Sequence, residues 1–370
     1  MIIGYEAKRV YHNASGLGNY SRNLIRLMAQ FHPENSYYLY NPSEGPLNFG
    51  EFLEGVEEKR PVIKNRLYRN IWRQRLLSDR ARRDKVDVFH GLSMELPQGL
   101  HKKKIPSVVT VHDVIFLRYP ELYRYIDRKI YLKKLRSACK RADLIVATSQ
   151  QTKNDLVEYL QMDPEWIKVA YQGVHPIFWT TFNDGEQAEV QQRFDLPERF
   201  GLFVGTLETR KGADKILNAQ LETGIPVVYI GKSTPFWEET LSLAKYNPIR
   251  HLIHTPEVPL DEDLAKIYRL AKVFIYPSLF EGFGIPVLEA LITSTPVITS
   301  NRSSLPEVAG PSSILINPEE QEELTQALRR VWESPELQEK MMESGLSFAE
   351  NFRDENIANH WQKIYRSLKA

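Results

Sequence analysis

Short runs of apolar, β-branched residues recur along the whole chain, and longer segments with helical spacing lie between them. The clearest runs span residues 86–90, 107–111, 144–148, 201–205, 227–231, 273–277 and 297–300. Continuous apolar runs are typical of strands buried on both faces of a parallel sheet. Helical segments such as 264–271 and 319–332 follow or precede these runs. Because β and α elements alternate in both halves, the sequence predicts an α/β protein with two doubly wound domains.

Charge is divided unevenly between the two halves. The 370 residues include 48 Lys and Arg against 47 Asp and Glu, a formal net charge of +1. Residues 1–180 nevertheless contain 29 basic and 19 acidic side chains, and the remainder contains 19 and 28. This change of sign, together with Pro176 and the polar residues 183–186, predicts a domain boundary between 174 and 197. The neutral total argues against a simple electrostatic binder of nucleic acid.

The compartment is predicted from cysteine usage and from the apolar runs. Cys139 is the single cysteine, so no internal disulfide is possible and a reducing compartment is favoured. Residues 1–6 reach charge too early for a signal peptide and are predicted as a first strand. No window approaches the roughly 20 apolar residues of a membrane span. We expect a cytoplasmic protein, which can still touch the inner surface of a membrane.

Ligands of open parallel sheets bind beyond the carboxyl ends of the strands, which directs attention to four loops. The first loop, residues 13–21, precedes a helix expected over 22–30. Gly16 and Gly18 let the backbone approach an anion at the helix N-terminus, although a plain tight turn explains them equally well. Ser21 stands where a dinucleotide fingerprint has its third glycine, so that fingerprint is excluded.

The second loop begins at His112, directly after the strand over 107–111. A histidine at a strand end can donate a hydrogen bond to a substrate hydroxyl or carbonyl, or it can merely cap the edge of the sheet. Asp113 either orients His112 or begins the next turn. His90, at the end of another strand, is a similar and weaker candidate.

The third and fourth loops combine cations, glycines and carboxylates. In the third, Arg210 and Lys211 are suited to a diphosphate, although an exposed surface pair is the simpler interpretation. In the fourth, residues 277–290, glycines expose backbone amides before a helix that Pro286 is expected to begin. Glu281 and Glu289 are eight positions apart. Carboxylates beside an anion site are poor partners for phosphate but good acceptors for sugar hydroxyls, and Glu281 could help stabilise an electron-poor anomeric carbon.

Seven segments of the chain resemble, in order, those of retaining glycosyltransferase family 4, which has the GT-B fold. Residues 281–286 with Glu289 resemble the family's Glu-x7-Glu motif. The other segments that resemble the family are residues 16–20, 111–113, 148–156, 172–174, 205–211 and 256–264. Gln172 and Gly212 depart from the family, which commonly has Asn at both positions, and this puts the local loop geometry in doubt.

The resemblance implies two Rossmann-like doubly wound domains that face each other across a cleft. An acceptor-binding domain is expected over 1–178 and a donor-binding domain over 179–351. A C-terminal helix within 352–370 is expected to cross back onto the first domain. Trp361 is then interpreted as a packing anchor rather than a platform for a sugar.

Residue roles follow from the same resemblance. Arg210 and Lys211 would hold the diphosphate, and Glu281 with the amides of Phe283 and Gly284 would hold hydroxyls of the donor sugar. His112 would contact the same sugar, and these roles make His112, Glu281, Arg210 and Lys211 the expected catalytic set. Glu289 would accept hydrogen bonds from the ribose. The remaining donor-binding positions are Gly16 near the distal phosphate, Gly205, Lys232 and Val258 beside the base, and Ile285.

The implied reaction transfers a hexose from a nucleotide sugar with retention at the anomeric carbon. Mannose from GDP-mannose is favoured over a UDP-sugar, with a saccharide or lipid-linked acceptor in bacterial surface polysaccharide synthesis, such as lipopolysaccharide. No cofactor and no metal are expected, because cations and a helix N-terminus can neutralise the leaving group. A sugar phosphorylase, an epimerase and a non-catalytic nucleotide-sugar binder are the alternatives. Nucleic-acid binding is suggested only by the basic half, which lacks a recognition motif.

The segment from Lys59 to Lys85 contains eleven basic residues and two acidic ones. On a helix over 66–83, cations and apolar residues occupy adjoining faces. The cations are Arg66, Arg69, Arg73 and Arg80, and the apolar residues are Tyr68, Ile71, Trp72 and Leu76. Such a helix is suited to docking on anionic lipid, and a charged helix packed by its apolar face is the alternative.

Overall fold

The chain forms two compact units. In this computed structural model, which describes residues 1–51, 53–62, 65–257 and 259–369 (backbone only at 66 and 67), unit 1 comprises 1–173 with 352–370, and unit 2 comprises 174–351. Unit 1 has 33 basic and 21 acidic residues and unit 2 has 15 and 26, so their net charges are +12 and −11. The opposite signs seen in the sequence therefore belong to two separate bodies.

Unit 1 is built on a seven-stranded sheet with the order β3-β2-β1-β4-β5-β6-β7. Its strands are β1 Ile2–Glu6, β2 Ser36–Tyr40, β3 Val56–Lys59, β4 Val88–Gly91, β5 Ser107–Val111, β6 Leu144–Ala147 and β7 Ile167–Val169. Its helices are α1 Lys8–His12, α2 Gly16–Phe31, α3 Arg66–Ile71, α4 Leu77–Arg83, α5 Ile115–Arg118, α6 Tyr125–Arg141, α7 Gln150–Leu160 and, late in the chain, α16 Asp354–Lys369. Every described ladder of this sheet is parallel.

Unit 2 is built on a six-stranded sheet with the order β10-β9-β8-β11-β12-β13. Its strands are β8 Gly201–Val204, β9 Val227–Ile230, β10 Ile253–His254, β11 Val273–Tyr276, β12 Val297–Ser300 and β13 Ile314–Ile316. Its helices are α8 Asp184–Arg193, α9 Ala213–Thr223, α10 Pro235–Ser242, α11 Asp261–Leu270, α12 Ile285–Ile292, α13 Leu305–Val308, α14 Gln321–Glu333 and α15 Pro335–Ala349. Described ladders are again parallel.

Each sheet reverses its strand order at one point. In unit 1 the chain builds outward from β1 on one side and from β4 on the other, and in unit 2 it does the same from β8 and β11. At such a point the loops after two neighbouring strands diverge and leave a crevice at the carboxyl edge. The fold therefore brings the loop after β8, which contains Arg210 and Lys211, beside the loop after β11, which contains Glu281.

The C-terminal helix α16 belongs to the core of unit 1, as the sequence predicted. Trp361 is 1% exposed and stacks on the His90 ring at a centroid distance of 4.8 Å. Tyr365 contacts His90 Nδ1 through its hydroxyl at 2.8 Å, and Thr110 Oγ1 lies 2.7 Å from His90 Nε2. His90 is thus a core residue that holds α16, and burial lowers its pKa to about 3. Cys139 is also buried, within α6.

Helix α2 begins at Gly16, six residues before the start expected from the sequence. The glycine segment is therefore the first turn of the helix rather than a loop ahead of it. A Cβ on Gly18 would lie 1.7 Å from the Asn13 carbonyl oxygen, whereas one on Gly16 would meet no protein atom within 4 Å. Packing alone explains the glycine at 18 and does not explain the glycine at 16.

The basic segment over 66–83 is not one regular helix. A π-helical turn, Trp72–Leu76, separates α3 from α4 and shifts the helical phase, so Arg69 and Arg80 do not keep the relative positions expected of one regular helix. Trp72 is 6% exposed and packs into the core. Arg73 Nη1 lies 2.9 Å from Glu95 Oε2 and 3.5 Å from Glu6 Oε1. The segment is therefore packed and partly ion-paired within unit 1.

Candidate functional site

The loops after β8 and β11 are joined through their backbones. Leu279 N donates to the Arg210 carbonyl oxygen at 2.9 Å. Gly212 has φ +72°, and a Cβ there would lie 2.8 Å from the Pro277 carbonyl oxygen. Left-handed backbone is accessible mainly to Gly and Asn, which explains why Gly can stand where the resembling family commonly has Asn.

Glu281 lies at the centre of this junction. Its Oε1 accepts hydrogen bonds from Tyr276 Oη at 2.9 Å, Ser278 Oγ at 2.9 Å and Arg210 Nη1 at 3.1 Å. Lys211 Nζ lies 3.6 Å from the same oxygen. Burial opposes ionisation, but Lys211 and Arg210 outweigh it and hold the pKa of the carboxyl below its ordinary value of 4.5. Among the described contacts none reaches Oε2, so that oxygen can accept a hydroxyl.

The two cations are held by the protein rather than exposed on its surface. Arg210 bonds Glu208 Oε1 at 2.6 Å as well as Glu281, and Lys211 Nζ donates to the Tyr276 hydroxyl at 2.8 Å. Their side chains are 20% and 14% exposed. Because hydrogen bonds to Glu208, Glu281 and Tyr276 fix their directions, the Arg210 guanidinium and the Lys211 ammonium are oriented in a way that suits an anion.

Tyr276 is a site residue that the sequence analysis missed. It is the last residue of β11, is fully buried, and links Lys211 to Glu281 through one hydroxyl. In the sequence it reads as one more apolar strand residue. The available signal was its hydroxyl at the carboxyl end of a strand beside the reversal point, where a buried Tyr needs a polar partner.

Glu289 lies on α12, whose first turn follows Gly284. Gly284 has φ +114° and caps the helix, Ile285 is its first residue and Pro286 its second, one position later than expected. Tyr268 Oη donates to Glu289 Oε2 at 3.0 Å, and burial raises the pKa of this carboxyl from 4.5 to about 7. The two carboxylates eight positions apart therefore differ in charge state, with Glu281 held ionised and Glu289 near its midpoint at neutral pH.

The remaining donor-side positions surround this junction. Phe283 is buried, and Ser304 Oγ donates to its carbonyl oxygen at 2.8 Å. Gly205 and Gly231 directly follow β8 and β9 and lie in contact: a Cβ on Gly231 would lie 1.9 Å from the Gly205 carbonyl oxygen. Lys232 is exposed, and its carbonyl oxygen accepts a hydrogen bond from Leu207 N at 3.0 Å. Val258 lies outside the described residues.

Comparison with known proteins assigns both units. A family model described as "Glycosyl transferases group 1" matches residues 184–347, and one described as "Glycosyltransferase Family 4" matches residues 14–178. The chain belongs to the group 1 glycosyltransferases. An Escherichia coli protein named "O-antigen chain mannosyltransferase B" is 27% identical over the whole of both chains.

Solved structures place this glycosyltransferase in the GT-B fold. The sucrose-phosphate synthase of Thermosynechococcus elongatus matches all of the chain with 99% of its own length, a TM-score of 0.79 and 18% identity. WaaG, a glycosyltransferase involved in lipopolysaccharide biosynthesis, matches over 100% and 99% of the two chains with a TM-score of 0.71 and 16% identity. At these identities the likeness shows the fold.

In unit 1 of the glycosyltransferase, His112 directly follows β5 and is 6% exposed. Its Nε2 lies 2.9 Å from the Leu92 carbonyl oxygen, which can only accept, so Nε2 bears the proton. Burial lowers the pKa of His112 to about 4, which leaves the ring neutral and Nδ1 unprotonated. His112 therefore contributes an acceptor at Nδ1, not the donor expected from the sequence. Asp113 Oδ1 accepts from Ile115 N at 3.2 Å and begins the next turn.

A second group that sequence reasoning missed lies at the reversal point of unit 1. Glu6 ends β1, Glu95 follows β4, and Arg73 contacts both. The Glu6 side chain is 4% exposed, and Oε1 accepts no hydrogen bond from a described residue. Burial raises the pKa of Glu6 despite Arg73. Separation along the sequence concealed this group, since Glu6 lies more than sixty residues before Arg73 and Glu95.

Close pairs of side chains that can bind a metal ion occur in the sequence of unit 2. His251 with His254, and Asp261 with Asp263, are close pairs. Within the described parts of the chain, no group of three His, Cys, Asp or Glu side chains is arranged to hold a metal ion. No helix among those described is long and apolar enough to cross a bilayer.

Proposed function

We propose that this chain is a retaining mannosyltransferase of bacterial surface polysaccharide synthesis, with GDP-mannose favoured over a UDP-sugar as donor. The observation that supports it most is the junction of Arg210, Lys211 and Glu281 at the reversal point of unit 2. It combines oriented cations with an ionised carboxylate that keeps one oxygen available. The full-length relative named as an O-antigen mannosyltransferase supports the choice of mannose and of pathway.

The proposed chemistry needs positive charge at the leaving group and acceptors around the sugar. Arg210 and Lys211 bind the diphosphate and stabilise the charge that develops as it departs, and the N-terminus of α12 adds its dipole. These groups are the reason for proposing metal independence. Glu281 Oε2 accepts sugar hydroxyls, Glu289 accepts from the ribose, and Nδ1 of His112 accepts from a substrate hydroxyl. Retention then follows if the departing phosphate takes the acceptor's proton on the face that it leaves.

The proposed acceptor is a saccharide or lipid-linked saccharide that binds unit 1, and the protein is proposed to work at the cytoplasmic surface of a membrane. The net charge of +12 on unit 1 supports an anionic acceptor or surface. Glu6 and Glu95, at the reversal point of its sheet, are suited to saccharide hydroxyls. A phosphorylase, an epimerase and a non-catalytic binder are not favoured by any contact described above.

The experiment is release of nucleotide from a panel of GDP- and UDP-sugars, with anomeric configuration of the product read by NMR. GDP-mannose should be consumed most rapidly and give an α-linked product. Glu281→Ala, His112→Ala and Lys211→Ala should each abolish transfer with the fold retained, whereas Lys215→Ala, on α9, should keep it. Release of nucleotide by none of the donors, or wild-type rates in all three site variants, would overturn the proposal.

A further inference from the structure

The outward face of helix α6, in unit 1, combines exposed apolar side chains with cations. Tyr125, Ile126 and Ile130 are 62%, 69% and 47% exposed, and Leu122, just ahead of the helix, is 51% exposed. The opposite side of α6 packs on the core through Leu135, Ala138 and Cys139. Large apolar side chains that are exposed together on one helix indicate a surface that contacts another protein, a membrane or a ligand.

The same face has no acidic side chain. Apart from Tyr131 and Lys134, which are exposed on another side of the helix, the exposed apolar or basic residues of α6 occupy an arc of about 140° at 100° per residue. They are Tyr125, Ile126, Lys129, Ile130, Lys133, Arg136 and Lys140. Asp127, the acidic residue of α6, lies outside this arc. The apolar residues occupy the first part of the helix and the cations extend along the rest.

We propose that this α6 face, with Leu122, docks the protein on an anionic lipid surface. Apolar side chains on a helix parallel to a bilayer enter the acyl boundary while Lys and Arg contact the phosphates. Lys129 Nζ lies 4.6 Å from the centroid of the Tyr125 ring, an arrangement that places a cation beside an interfacial aromatic. Charge complementarity therefore selects an anionic membrane as the occupant.

The segment over 66–83, which the sequence favoured for this role, is less suited to it. Trp72 is buried there, Arg73 is paired with Glu6 and Glu95, and Arg80 is paired with Asp84 at 2.8 Å. Its π-helical turn also divides the helix into two phases. The α6 face has both components of an interfacial helix exposed, so lipid contact is assigned to α6.

The inference rests on the proposed function for its membrane location, but it is tested without substrate. Full-length protein is floated with vesicles of phosphatidylcholine alone and of equal parts phosphatidylcholine and phosphatidylglycerol. Wild type should bind the anionic vesicles, and added salt should weaken binding because it screens the cations. Binding to neither vesicle, or equal binding to both, overturns the proposal and leaves an acidic protein surface as the occupant to examine.

Matched variants locate the contact. Ile126→Glu should lower binding about tenfold or more, whereas Leu243→Glu, at a side chain 49% exposed in unit 2, should not. The pair Lys129→Gln with Lys133→Gln should lower it about tenfold, against no more than a small loss for Arg82→Gln with Arg83→Gln on α4. Equal losses in the α6 and control variants overturn the assignment.

These positions are exposed, so thermal unfolding should be unchanged in each variant. Nucleotide release in the absence of vesicles should also stay at the wild-type rate, because none of the substituted residues belongs to the donor site. If the nucleotide-release assay alone fails, the result therefore contradicts the proposed function and leaves the α6 proposal standing. If the protein fails to float with anionic vesicles while it still turns over the donor, the result contradicts membrane docking by the α6 face.

Discussion

The hydroxyl of Tyr276 donates to Glu281 Oε1 over 2.9 Å while it accepts from Lys211 Nζ over 2.8 Å. One phenol thus bridges a cation proposed for the diphosphate and a carboxylate proposed for the sugar. The Arg210 guanidinium reaches the same carboxylate oxygen from the neighbouring loop. Contacts among protein groups therefore fix the positions of Lys211, Arg210 and Glu281 relative to one another.

Tyr276→Phe should reduce kcat/KM for transfer by about 10- to 100-fold, because two charged groups each lose a hydrogen bond. The fold should survive, since the ring keeps its packing. Tyr246→Phe is the matched control, since its hydroxyl bonds Asn218 at 2.9 Å in the same unit. Steady-state nucleotide release measures both variants, and equal rates for Tyr276→Phe and wild type would contradict the role.

Glu289→Gln should raise stability above pH 7 and leave it unchanged near pH 4.5. The folded protein binds the Glu289 proton with a pKa of about 7, above the ordinary 4.5, so folding favours the protonated form. Stability contributed by this group is therefore present below 4.5 and is lost as the pH rises through 7. Above pH 7 the buried carboxylate costs up to about 3 kcal/mol, which the amide avoids.

Thermal unfolding of Glu289→Gln and wild type at several pH values measures this difference. Glu343→Gln, at an exposed position, provides the control for loss of one carboxylate. A Tm difference that stays constant from acid to neutral pH would show that Glu289 does not titrate as described.

The glycines at 16 and 18 should separate function from stability. Gly18→Ala places a Cβ 1.7 Å from a carbonyl oxygen and should cost about 3 kcal/mol or more. Gly16→Ala meets no protein atom, so the Tm should hold or rise slightly while kcat/KM falls about tenfold if a phosphate approaches there. Full activity in Gly16→Ala would remove this residue from the donor site.

Gly231→Ala should destabilise unit 2 by more than about 3 kcal/mol, because its Cβ would overlap the Gly205 carbonyl oxygen at 1.9 Å. Gly224→Ala, at φ +69° with open space around it, should cost only the left-handed strain of about 1 kcal/mol. Chemical denaturation of the two variants compares close approach with backbone conformation alone. Similar losses at 224 and 231 would contradict the contact.

The sequence predicted the central strands well because those strands are buried on both faces and read as unbroken apolar runs. Edge strands such as β3, Val-Glu-Glu-Lys, were not predicted, because one flank of such a strand faces water and its residues are polar. Helix α6 escaped for a related reason: only three of its residues are buried, so its pattern is dominated by cations.

The candidate site divides in the same way. Glycines, Arg210, Lys211 and Glu281 are recognisable because the chemistry appears in contiguous loops. The contacts of Tyr276 with Lys211 and of Glu6 with Arg73 are not recognisable, because they arise only when elements distant in sequence become neighbours. The proton position on His112 likewise depends on the Leu92 carbonyl, which no local pattern reveals.

The return of α16 to unit 1 has a consequence for how the chain is made. Unit 2 is a continuous segment, whereas the core of unit 1 lacks Trp361 and Tyr365 until the chain beyond unit 2 has been synthesised. A nascent chain can therefore complete unit 2 before unit 1. Until α16 is synthesised, His90 and the inner face of α2 lack the side chains that they pack against. Any fragment that stops at residue 351 would leave this apolar surface of unit 1 uncovered and accessible to chaperones and proteases.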